Sequence, residues 1–161
     1  MVVLINDMSD NVKILDACCG SKMFWFNKNY EGALYMDIRH ENTILGDGRS
    51  LIVDPDILAD FRSIPYDDNS FYLVIFDPPH LLRAGEKSFL KAKYGKLEPS
   101  WRDDIKKGLS ECWRVLKKNG TMIFKWSEEQ VSFSMVKDIL PCEPVIGQRR
   151  GKTIWLVFFK G

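Results

Sequence analysis

The sequence predicts an α/β domain: a doubly wound, mostly parallel sheet with an antiparallel hairpin added at its end. Three observations carry this. Short apolar runs alternate with longer amphipathic stretches along the 161 residues. The strongest run, FYLVIF at 71–76, lacks polar alternation, the pattern of a parallel strand buried on both faces. At the end of the chain, EPVIG, QRRGK and TIWLVFF read as two strands around a glycine-containing turn.

The elements follow in order. VKILDA (12–17) and ALYMDI (33–38) are short apolar strands that end in an acid, and DILAD (56–60) is a weaker third. FYLVIF is the fourth. In SWRDDIKKGLSECWRVLKKNG, Trp101, Ile105, Leu109, Cys112 and Leu116 recur at helical spacing. Ser100 can cap this helix and Asp103 lies in its first turn, while Asn119–Gly120 supply a stop behind a lysine-rich end. TMIFKW (121–126) is the next strand, and a second helix is expected over 128–139, ending before Pro141.

The length is that of one domain with one sizeable core, and no repeat or linker divides residues 1–161. Apolar residues make up 45% and charged residues 28%, and no apolar stretch approaches the roughly 20 residues that span a bilayer. The N-terminal MVVLINDMSD has neither a basic region nor a small-residue cleavage site, so a cytoplasmic protein is expected. A net charge of +1 gives no global field for nucleic acid or membrane. Basic residues nevertheless concentrate at 83–107 and at Arg149, Arg150 and Lys152. Cys18, Cys19, Cys112 and Cys142 form no CxxC pair and read as reduced, structural thiols, and no metal site is evident.

The strand ends carry the chemistry. Asp16, Asp37 and Asp77 each close an apolar strand, and Asp60 closes the weaker one. Ligands of such sheets bind beyond the carboxyl ends of the strands. The turn DACCGSK (16–22) has neither the G-x-G-x-x-G of a dinucleotide site nor the G-x-x-x-x-G-K-[ST] of a P-loop. A lone Gly20 suits a ligand without phosphates. Asp37, about twenty residues later, is placed to accept both hydroxyls of a ribose; its alternative is a pairing with Arg39. Asp60 can accept from an adenine amine or be a loop acid. Adenosine without phosphates fits all three.

"ILDACCGS", "MDIR", "ADFRSIPYDDNSFYLVIFDPPH" and "CWRVLKKNGTMIFKW", in that order, resemble a class I S-adenosylmethionine-dependent methyltransferase over nearly the whole chain. The resemblance implies a Rossmann-like seven-stranded sheet of order 3-2-1-4-5-7-6 with the seventh strand antiparallel, and S-adenosyl-L-methionine as cofactor. It implies Asp16 and Gly20 near the methionine moiety, Asp37 at the ribose and Asp60 at the adenine, with Ala17, Cys18, Ile38 and Phe61 beside them. Cys18 stands where glycine is commonest in that family.

DPPH (77–80) resembles the [D/N/S]-P-P-[Y/F/W] motif of methyltransferases acting on exocyclic amines such as N6 of adenine. An amine conjugated to a ring is a poor nucleophile. Two acceptors, the Asp77 carboxylate and the Pro78 carbonyl, would bind its N–H groups and favour a pyramidal nitrogen aimed at the methyl. Pro78 and Pro79 fix the backbone before substrate arrives. His80 stands where an aromatic ring usually stacks on the base; imidazole can stack more weakly or exchange a proton. The alternative for D-P-P is a rigid turn.

Residues 81–100 form the expected basic lid over the substrate, with Arg83, Lys91, Lys93 and Tyr94 as candidates to touch nucleic acid and Trp126 bordering the pocket or packing in the core. About eighty residues follow DPPH, all needed for the sheet, so the expectation is loose specificity, action on a structured RNA or a single-stranded site, or recognition borrowed from a partner protein. The expectation is an N-methyltransferase for a nucleobase amino group in DNA or RNA. A protein side chain or small molecule as acceptor, or an idle cofactor-binding subunit, are the alternatives.

Overall fold

Apolar runs become strands where expected, with one hairpin added. The computed structural model describes residues 11–83, 91–92 and 95–161. In chain order the strands are β1 (Ile14–Asp16), β2 (Ala33–Asp37), β3 (Glu41–Ile44), β4 (Ser50–Val53), β5 (Ile57–Leu58) and β6 (Phe71–Phe76). Helix α1 (Trp101–Val115) leads directly into β7 (Leu116–Ser127), and β8 (Ile146–Arg150) and β9 (Thr153–Phe159) end the chain.

The main sheet has the order β5-β2-β1-β6-β7-β9-β8. Its first five strands run parallel, and β9 is antiparallel to both β7 and β8. With the separate β3–β4 hairpin set aside, this is the expected order 3-2-1-4-5-7-6. The winding is lighter than expected, because the connection from β1 to β2 runs through turns rather than a helix. The hairpin went unread although GDG at 46–48 sits between apolar runs, a recognised turn signal.

Helix α1 supplies one wall of the core. Trp101, Ile105, Leu109, Cys112 and Val115 are buried on one stripe and meet Phe71, Phe76, Phe124 and Trp126 from the sheet. The stripe has the spacing read from the sequence. Ser100 precedes the helix, but its hydroxyl donates to Asp104 Oδ2 at 2.7 Å instead of capping a backbone N–H. The far end is stopped by Lys160, not by Asn119–Gly120: its Nζ donates to the carbonyls of Trp113 (2.7 Å) and Leu116 (2.6 Å).

The helix expected over 128–139 is replaced by two short 3₁₀ turns, Phe133–Met135 and Lys137–Ile139. Local side-chain bonds compete with the helix here. Glu128 Oε1 accepts the Phe133 N–H at 2.7 Å, and the Ser132 and Ser134 hydroxyls bond each other at 2.6 Å. The terminal hairpin turns on two residues, Gly151 and Lys152, with Gly151 at φ 59° as a tight turn of primed type requires. No helix among the described residues is long and apolar enough to cross a membrane.

Candidate active site

The carboxyl ends of β1, β2 and β6 meet at one rim, and the acids that end them share a cavity. Its lining includes Asp16, Asp37 and Asp77 together with Cys18, Gly20, Phe24, Arg39 and Pro78. A second cavity continues from it past Cys18, Asp37 and Arg39, lined further by Ala17, Ile38, Ala59, Phe61 and Pro79. The first is about 40 Å³ and the second about 150 Å³. Each is below the roughly 300 Å³ of ordinary small-molecule pockets, and the two share Cys18, Asp37 and Arg39.

Asp16 is the most deeply buried of the three acids. The indole N–H of Trp25 donates to Oδ2 at 2.8 Å, while the buried Oδ1 has no hydrogen-bond partner among the described residues. Burial pushes its carboxyl up to about 7; Trp25 and the backbone of Cys18 offset part of this, and the charges of Asp77 and Asp37 add to it. An unsatisfied buried acceptor beside two like charges favours a cation.

Asp37 is held by its own turn. Its Oδ2 accepts the Gly20 N–H at 2.9 Å, and Oδ1 accepts the Arg39 backbone N–H at 2.9 Å and Nε–H at 3.3 Å. The pairing with Arg39, the alternative for Asp37, is present, and Asp37 also lines the cleft. Arg39 Nη1 also donates to the Ala92 carbonyl at 2.8 Å, tying β2 to the segment after DPPH.

Asp77 lies just beyond β6 and is bound by Lys125, whose Nζ donates to Oδ2 at 3.1 Å. Burial raises its carboxyl pKa, and the Lys125 charge and hydrogen bond oppose that. Pro78 lines the first cavity and Pro79 the second, so the D-P-P backbone runs along the wall where they join. His80 turns inward and is only 9% exposed, so its ring is not an open platform. Burial and the Lys125 charge hold the imidazole pKa below its ordinary value, against the Pro78 carbonyl and Glu129.

Other sequence candidates lie elsewhere. Asp60 lines neither cavity; its carboxylate accepts from Arg62 Nη2 at 2.6 Å and Nε at 2.9 Å, and Arg62 reaches Asp104 on α1. Phe61, beside it, does line the second cavity and packs edge-on against Phe76 at 5.1 Å. Trp126 belongs to the core: it is 1% exposed, stacks near Trp101 and Phe124, and donates its indole N–H to the Val131 carbonyl at 2.9 Å. It does not border the cleft, because alternation along β7 turns it toward α1.

The lid candidates divide. Lys93 and Tyr94 lie outside the described residues. Arg83 is exposed, and its backbone is clamped by Gln130 through bonds of 2.7 and 2.9 Å. Lys91 is half-buried in the segment that Arg39 touches at Ala92. Within the segment expected as a lid, the Leu97 N–H donates to the Leu81 carbonyl at 2.7 Å.

Sequence reasoning missed Phe24, Trp25, Arg39 as a bridge, and Lys125. A signal existed for Lys125: a lysine inside the apolar run TMIFKW needs a partner once the strand is buried. Phe24 and Trp25 gave none, because the turn that brings them over the rim has no periodicity.

No protein-family model matches the chain. Over 93 residues, 58% of this chain, it is 31% identical to the DNA adenine methyltransferase YhdJ of Escherichia coli (strain K12), and the match spans 30% of that protein's length. Among solved structures, the PH0226 protein of Pyrococcus horikoshii superposes with a TM-score of 0.59 at 16% identity, covering 96% of this chain and 84% of the other. A SAM-dependent methyltransferase of Aquifex aeolicus gives 0.50 at 12% identity over 100% and 85%. A SAM-dependent methyltransferase of Leishmania major gives 0.51 at 12% over 91% and 64%. The fold is that of solved structures described as SAM-dependent methyltransferases.

Proposed function

We propose that this chain is an S-adenosylmethionine-dependent methyltransferase that N-methylates an exocyclic amino group of a nucleobase. One observation carries the reading: the two amine acceptors of D-P-P, Asp77 and Pro78, line the same cavity as Asp16 and Asp37. The partial sequence match to a DNA adenine methyltransferase supports the acceptor class.

The residues fit the cofactor. The orphaned Oδ1 of Asp16 suits an ammonium group, and three carboxylates around one cavity suit a ligand with two positive centres. Asp37 keeps acceptor capacity on Oδ2 for a hydroxyl, since one of its lone pairs is taken by Gly20. Ile38, Ala59, Phe61 and Pro79 form walls for a flat ring. Asp60 would serve an adenine amine only by releasing Arg62. Bound there, the cofactor supplies an electrophilic methyl group.

The chain's own work is positioning. Asp77 accepts one N–H of the amine and the Pro78 carbonyl the other, which localises the nitrogen lone pair. Rigid placement of this kind is a large share of what an enzyme contributes to such a transfer. With His80 buried, stacking on the base falls to other rings. Phe26, fully exposed two residues beyond cavity-lining Phe24, is available, with exposed Lys28 two residues further on. A partner protein for target choice belongs to the same proposal.

The test is transfer of labelled methyl from cofactor into mixed DNA, RNA and protein. Label enters nucleic acid and falls at least a hundredfold in Asp77→Ala while cofactor binding persists. Label found only in protein defeats the nucleobase reading, and cofactor binding without any transfer supports an idle binding subunit.

A further inference from the structure

Lys125 is the cation that meets Asp77, and its surroundings are built. Phe76 of β6 pairs with Phe124 of β7, so the residues that follow, Asp77 and Lys125, are neighbours across the strand ends. On the other side Lys125 pairs in register with Trp155 of β9. Its Nζ stands 3.1 Å from Asp77 Oδ2, 4.6 Å from the centroid of Phe24 and 5.6 Å from that of Trp155. Phe24 and Trp155 close on each other at 4.9 Å. The Lys125 and Asp77 side chains are 15% and 17% exposed. An ammonium stripped of most of its water, facing one carboxylate and two ring faces, is fixed by them.

We propose that Lys125 is the positioning residue for Asp77: it holds one carboxylate oxygen and supplies the counter-charge, leaving the other oxygen to receive the N–H of the acceptor amine. This rests on the reading of Asp77 as an amine acceptor given above. A protonated carboxyl would present its own O–H to an incoming amine, so the group must stay ionised to work. Burial opposes that ionisation. The other groups around Asp77 do not supply the counter-charge. Asp16 and Asp37 at the ends of β1 and β2 are acids, Cys18 holds its proton, and Arg39 is engaged by Asp37. His80, on the same loop, has its positive form disfavoured by burial and by Lys125 itself.

The experiment follows the Asp77 side-chain carboxyl by carbon-detected NMR titration in the full chain, comparing wild type with Lys125→Met and Lys125→Arg. In Lys125→Met the Asp77 midpoint rises by about one pH unit or more, a tenfold gain in proton affinity, and Lys125→Arg returns it toward wild type. The acid limb of the kcat profile for methyl transfer moves upward in step, and activity returns at higher pH. An unmoved Asp77 midpoint in a folded Lys125→Met protein overturns the proposal, as does a kcat loss that no pH restores. If Lys125→Met does not fold, Lys125→Gln is read by the same titration. A wild type that transfers methyl to no acceptor counts against the proposed function, while the titration still decides the role of Lys125.

Discussion

Asp16 shows how a carboxyl buried in a cleft works against the fold. Its carboxyl is ordinary in the unfolded chain, near 3.8, and is raised to about 7 when buried. Between those two values the folded state binds more protons than the unfolded state, so the group costs increasing stability as pH rises through that window. Asp16→Asn removes this cost. We expect its melting temperature, compared with wild type, to gain more at pH 8 than at pH 4, measured by calorimetry. Cofactor affinity moves the other way in the native protein. Since a cation selects the ionised carboxylate, the Kd should tighten about tenfold from pH 6 to pH 8 and level off above, by titration calorimetry; a flat profile would remove Asp16 from the site.

At the scale of elements, one helix position links packing to the cleft. Gly108 lies on the buried stripe of α1, where a Cβ would stand 2.6 Å from Phe61 Cδ2 and 2.7 Å from Phe76 Cζ. Alanine is favoured over glycine in a helix interior by roughly 1 kcal/mol. Here the contact outweighs that preference, because Phe76 is fully buried in the sheet and cannot retreat. Phe61 must move, and it is a wall of the second cavity. Gly108→Ala should therefore destabilise the protein by about 1–3 kcal/mol in urea unfolding and weaken cofactor binding together. Stabilisation with unchanged binding would show that Phe61 has room. The strands of the main sheet and α1 were legible in the sequence because their patterns are local, while the β3–β4 hairpin was not read. The 3₁₀ turns after β7 were not, since Ser132, Ser134 and Glu128 redirect backbone bonds that an apolar pattern cannot report.

For the whole molecule, the sheet order was implied by the family resemblance, while the convergence of Asp16, Asp37 and Asp77 could be expected from strand ends, because parallel strands deliver their last residues to one rim. What could not be read is what each acid finds there. Asp37 meets Arg39, Asp77 meets Lys125, Asp60 is drawn off by Arg62, and Trp126 faces the core. Those outcomes depend on strand register and on turns without periodicity. If the acceptor is a nucleic acid, its affinity should fall steeply between 50 and 200 mM salt, roughly as the number of phosphates contacted. Affinity indifferent to salt in a filter-binding assay would point to a small or neutral acceptor.

The bond between Leu97 and Leu81 sets a boundary of another kind. Wherever the chain travels between those leucines, it departs from and returns to nearly one point on the wall. Closing such an excursion costs free energy that grows only with the logarithm of its length. A change in its length would be felt first at Ala92, where Arg39 ties the segment to β2. If that stretch touches the acceptor, as proposed, its composition is where acceptor choice would diversify.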